Sequence, residues 1–261
     1  MSPTAAHRLF PVARARALIL GSLLVLAAVA WAVLVWQSSM TDMDDVNNML
    51  TMDMGALLFL AIWMAMMVAM MFPTAAPMVL TFASAQQNKQ QMGKPYVATW
   101  IFVSAYLGIW MTFGAIAYVA ALGATELADG SMWVMDNAAR IGGAVLVLAG
   151  LYQLSPLKNT CRSKCRAPMS FVLTSWHDGY GGALRMGLEH GLYCLGCCWL
   201  FFVIVFPLGM MNVAILAAIV LLIFAEKSLP FGHRASQLGA AALVAYGTLV
   251  MLVPDALPTA M

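Results

Sequence analysis

Charge is scarce in this sequence. Of 261 residues only 9% are Asp, Glu, Lys or Arg, while 63% are hydrophobic. A soluble domain carries about 25% charged residues, so this chain cannot clothe itself in a solvated surface. The net charge of +2 is too small to point to nucleic acid. Cysteine is also sparing: there are five, an odd number that cannot all pair, at spacings unlike a secreted disulfide scaffold. No glycine-rich nucleotide loop, no H-E-x-x-H and no Ser/His/Asp arrangement is present, so nothing specifies hydrolysis or phosphoryl transfer. There is no internal repeat and no stretch that reads as a separate soluble domain, so 1–261 is one transmembrane helical domain.

What the chain has instead is long apolar runs. Seven are visible: 17–36, 55–82, 96–122, 138–154, 183–206, 213–225 and 238–253. A bilayer core needs about 20 residues of helix. The first run has that length without a charge, longer than a signal-peptide core, and no small-residue cleavage site follows it. The fold class is therefore all-α, a polytopic membrane protein of about seven transmembrane helices; the sixth run is the short one. Lys and Arg gather in 1–16, 83–95, 155–182 and 226–237, whereas 37–54 and 123–137 carry acids and no Lys or Arg. The positive-inside rule then puts the N-terminus in the cytoplasm. On this reading Glu226 and Lys227 form an interfacial ion pair, and 155–182 is a cytoplasmic polar loop.

The fifth run holds His190, Cys194, Cys197 and Cys198. On a helix these fall at about 0°, 40°, −20° and 80°, one face. Imidazole with thiols is a soft ligand set that suits Cu(I) or Zn(II). His190 would lie about 10 Å and Cys198 about 22 Å into the membrane, where polar groups mark functional sites. Gly187 and Gly191 form a G-x-x-x-G that lets a neighbouring helix approach beside the cluster. Glu189 can pair with Arg185 one turn back, and His177 reads as a loop residue. Buried packing is the alternative role for such cysteines.

Methionine is the abundant oddity, at 22 residues. In the second run Met64, Met67 and Met71 fall along one line of the helix, beside Met66 and Met70, with Pro73 expected to kink it. An outer loop adds Met40, Met43, Met49, Met52 and Met54 among aspartates. Thioethers select Cu(I), while zinc sites use Cys, His, Asp and Glu, so methionine favours copper(I), with zinc as the alternative ion. If the second run packs against the fifth, the depths of Met67 and Cys194 overlap. Cys161 and Cys165 sit among Arg162, Lys164 and Arg166, neighbours that favour thiolate, where they could exchange metal with a cytoplasmic acceptor.

Four stretches carry a family likeness: Trp63 to Pro73 with Pro77, Tyr152 to Pro168, His190 to Trp199, and Met210 to Asn212. Together they resemble a bacterial, uncharacterised family of predicted metal-binding integral membrane proteins, over roughly 55–227. The resemblance implies a multi-pass protein of the bacterial inner membrane, with His190, Cys194, Cys197 and Cys198 matching its His/Cys motif. The outer methionine loop lies outside the match. The leading expectation is a protein that handles or transports copper(I) through an intramembrane His/Cys/Met site, with the lipid bilayer and a copper-accepting or copper-enzyme protein as partners. The alternatives are a membrane thiol-disulfide oxidoreductase, for which Cys194 and Cys197 form a C-x-x-C, and a non-catalytic subunit of a membrane assembly.

Overall fold

The computed structural model describes residues 3–40, 55–210 and 212–257, with side chains from residue 14 onward. Met43, Met49, Met52 and Met54 lie outside the described residues, and Met40 ends the first helix. The described chain is entirely helical: α1 (Pro3–Met40), α2 (Ala56–Gln91), α3 (Thr99–Asp129), α4 (Met132–Asp136), α5 (Ala138–Gln153), α6 (Pro156–Arg166), α7 (Pro168–Thr174), α8 (Gly179–Val203), α9 (Val205–Leu208), α10 (Val213–Ser228) and α11 (Gly232–Leu252), with a final turn of 3₁₀ helix at Pro254–Ala256.

The expected count of seven spans is corrected. Among the described residues five helices are long and apolar enough to cross a membrane: Arg14–Met40, Ala56–Gln91, Thr99–Asp129, Gly179–Leu208 and Gly232–Leu252. A sixth arises only if α5 and α6, bent by 61° at their junction, count as one broken span. The loss is a matter of length. α5 and α10 have 16 residues each, a rise of about 24 Å against a hydrocarbon core of about 30 Å.

Three polar segments expected as loops are helical. α2 runs on through Pro73 and Pro77 to Gln91, and α3 continues to Asp129. The segment after α5 folds back as α6, because Ser155 caps it, accepting from the Lys158 N–H at 3.1 Å, and Pro156 opens it. That Ser-Pro pair is a helix-start signal. Between the fifth and sixth runs, where a tight turn is expected, Gly209 adopts φ +94, a left-handed conformation suited to glycine, and Asn212 Oδ1 accepts from the Ile215 N–H at 3.1 Å to start α10.

Packing fixes the neighbours. α8 lies along α3 and against α6, α1 lies along α2, and α5 pairs with α11. Glycine permits the closest approaches. A Cβ at Gly187 would stand 2.4 Å from Phe102 O, and one at Gly191 2.8 Å from the Ile109 side chain. The G-x-x-x-G of α8 is therefore the seat of α3. Gly143 and Gly247 do the same for α5 and α11. α2 and α8 meet directly through long side chains, Met71 on Cys194 and Trp63 on Phe202, with α3 packed against both.

Candidate metal centre

α8 directs Cys194, Cys197 and Cys198 into the main hydrophobic core, where all three are buried with Met66, Met67, Met70 and Met71 of α2. Cys194 is the hub. Its Sγ lies 3.9 Å from Met71 Sδ, 3.2 Å from the Tyr106 hydroxyl and 3.1 Å from Lys227 Nζ, which donates to it. Cys197 Sγ donates to the Cys194 carbonyl at 3.2 Å and stands 3.3 Å from Cys198 Sγ. From α6 the Cys165 thiol faces Cys194 and Cys197. Five helices thus supply one sulfur-rich centre. All five cysteines are free thiols.

His190 takes a different position. Its ring is 3% exposed and sits in an aromatic cage, with centroids 5.4 Å from Tyr106, 5.9 Å from Phe102 and 5.7 Å from Phe171. Neither ring nitrogen has a hydrogen-bond partner. One helix face is not one point: residues 190 and 197 are separated by about 10 Å along the axis at 1.5 Å per residue. Among the described residues no three His, Cys, Asp or Glu side chains make a ready-formed ligand group. Tyr106 connects the two parts, its ring stacked on His190 and its hydroxyl on Cys194.

The other sequence candidates separate. Only Met71 of the methionine line touches a thiol; Met67 is buried beside it and Met64 is half-buried at the edge of the same core. Cys161 packs on Gly196, where a Cβ would stand 2.7 Å from its Sγ. Glu189 pairs with Arg185 at 3.0 Å as expected, and His177 Nδ1 lies 2.9 Å from Ser175 O. The Glu226–Lys227 pair is corrected. Lys158 bonds Glu226 at 2.7 Å, both almost wholly buried, and rests 4.5 Å from the Phe201 ring centroid. Lys227 turns to Cys194 instead. The sequence contains no local signal for the parts played by Tyr106 and Lys227, since each reaches the cluster from another helix.

The donor chemistry fits a soft cation. Two sulfurs can share an ion when they are closer than twice a metal–sulfur bond, about 4.6 Å, and both the Cys194–Met71 and Cys197–Cys198 separations satisfy this. An imidazole buried without partners is an unexplained cost unless it meets a ligand. Residues 60–250 match the model of a protein family described as PpoB2: copper chaperone. No curated protein and no solved structure matches the chain.

Proposed function

This chain belongs to the PpoB2 copper chaperone family, and from that premise we propose that it handles copper(I) as cargo on the sulfur cluster around Cys194, within the bacterial inner membrane. The observation that carries this reading is the Met71 thioether 3.9 Å from the Cys194 thiol. A thioether beside thiols selects Cu(I), whereas zinc sites do not recruit methionine. Cys194, Cys197 and Cys198 are the principal ligands, Met71 and Cys165 complete the set, and His190, reached past Tyr106, is the next ligand toward the start of α8.

Charge supports the same assignment. Copper(I) on two thiolates carries a net charge of −1, and in an apolar core an unbalanced charge is expensive. The Lys227 ammonium, 3.1 Å from Cys194 Sγ, brings that sum to zero. Because α10 ends near this depth, Lys227, Lys158 and Glu226 form a polar flank from which a copper-accepting protein on the cytoplasmic side could draw the ion, with Cys165 as the exchanging thiol. Met64 and Met67 give further thioethers on the α2 side, and Cys161 a second thiol on α6.

The test is copper content and affinity of the purified protein, by elemental analysis and by competition with a Cu(I) chelator. Wild type is expected to hold copper(I) with its thiols reduced, and Cys194→Ser/Cys197→Ser to lose at least about tenfold in affinity. Protein that retains zinc and ignores copper, or a double variant with unchanged affinity, would overturn the reading. One observation favours thiol-disulfide exchange as the second reading: Cys165 faces both members of the C-x-x-C. A metal-free protein with a Cys194–Cys197 disulfide would select it.

A further inference from the structure

A cavity of about 360 Å³ opens where α6 begins and α11 starts, away from the sulfur cluster. Gln153, Ser155, Asn159, Arg162, His233 and Ser236 line most of it, and no acidic residue does. Two of these side chains are almost wholly buried and incompletely partnered. Arg162 and Gln153 are each 6% exposed, and Arg162 Nε and Gln153 Oε1 have no hydrogen-bond partner. None of the groups that anchor the guanidinium is a carboxylate. It donates to Gly232 O at 3.0 Å and Asn159 Oδ1 at 2.8 Å, and its Nη2 lies 3.4 Å from His233 Nδ1. Its neighbour Lys158 has a carboxylate in Glu226; among the described residues Arg162 has none.

A buried cation without a counter-ion is costly, and no other lining residue supplies a negative charge. Ser155 and Pro156, the cap and first residue of the 11-residue helix α6, line the cavity. They bring the positive end of the helix dipole to it. His233 is shared with an adjoining, more open hollow that adds Arg234. Buried guanidinium, helix N-terminus and imidazole around a polar space of this size make an oxyanion receptor, and arginine's planar fork matches phosphate in particular. Leu154 lines the cavity and Leu157 and Leu238 adjoin its lining residues, all three well exposed, so acyl chains could lie against the same rim.

We propose that this cavity binds a phosphate group, delivered as free inorganic phosphate or as the headgroup of an anionic phospholipid. The site is independent of the copper reading. The experiment uses the full-length protein in uncharged detergent, titrated with inorganic phosphate against chloride at matched ionic strength. A second arm uses lipid discs of phosphatidylglycerol with phosphatidylcholine against phosphatidylcholine alone. The readout is the midpoint of thermal unfolding and the apparent affinity derived from it. A rise with inorganic phosphate assigns the free ion; a rise with phosphatidylglycerol alone assigns the lipid headgroup. In either case Arg162→Gln should weaken binding about tenfold or more, the worth of a charged hydrogen bond. Should Arg162→Gln fail to fold, His233→Gln, at an exposed position, decides in its place and is expected to weaken binding several-fold. No rise in either arm, or a rise that the variants leave unchanged, overturns the proposal.

Discussion

At the scale of single residues, the sulfur centre separates side chains that the sequence treats alike. Met64, Met67 and Met71 share one helical line, yet only Met71 meets a thiol. Leucine conserves volume and hydrophobicity, so Met71→Leu and Met67→Leu should each cost under about 1.5 kcal/mol in stability. Met71→Leu should lower Cu(I) affinity by about tenfold and Met67→Leu by less, measured by chelator competition on the two proteins side by side. Equal affinities for wild type and Met71→Leu would remove the thioether from the site. The sequence placed Cys194, Cys197 and Cys198 together on one face of a helix, where all three are buried, because helical spacing is local. It could not separate Met71 from Met67, because that depends on where α3 holds α2 relative to α8. Nor could it find Lys227, which has an acidic neighbour in the chain and a sulfur partner in space.

At the scale of elements, two devices hold the centre in place. The first is the seat of α3 on α8. With Phe102 O only 2.4 Å from the position of a Cβ at Gly187, Gly187→Ala must push backbone from backbone. It should destabilise by about 1–3 kcal/mol as an overpacking change, seen as a lower unfolding midpoint. It should also loosen the cluster, since Tyr106 rides on α3. The glycine spacing made this contact legible in advance. The second is α6, which the sequence presented as a loop: its charges hid a Ser-Pro start and an inward face. Lys158 of α6 pairs with Glu226 of α10 deep in the fold. Lys158→Met alone strands a buried carboxylate and should cost about 3–5 kcal/mol, whereas Lys158→Met/Glu226→Leu should recover most of that loss. Thermal unfolding of the single and double variants checks it; equal losses in both would mean the pair is held by something other than mutual charge.

At the scale of the whole molecule, the question is which end of the bundle faces the cytoplasm. Runs of apolar residues disclosed five of the helices that can span, but a count of runs cannot distinguish a span from a 16-residue helix. The packing supplies what the counting lacked. Lys89 at the end of α2 pairs with Asp178 at the start of α8. Arg166 of α6 donates to Glu226 O and Leu229 O at the end of α10, at 2.7 and 2.8 Å, and Arg162 reaches Gly232 at the start of α11. These contacts gather the basic segments into one end of the fold. Glu126 and Asp129 stand in the last turn of α3, and Asp136 follows at the end of α4. Basic segments are retained on the cytoplasmic side, so the end holding Lys89 should face inward. Single cysteines at two exposed positions, Gln90→Cys and Asp129→Cys, test this in spheroplasts with a membrane-impermeant maleimide, against wild type as background for the native thiols. Asp129→Cys should label at once, and Gln90→Cys only after permeabilisation. The reverse order would turn the molecule over and place Cys165, Lys227 and the cavity at Arg162 toward the outer face.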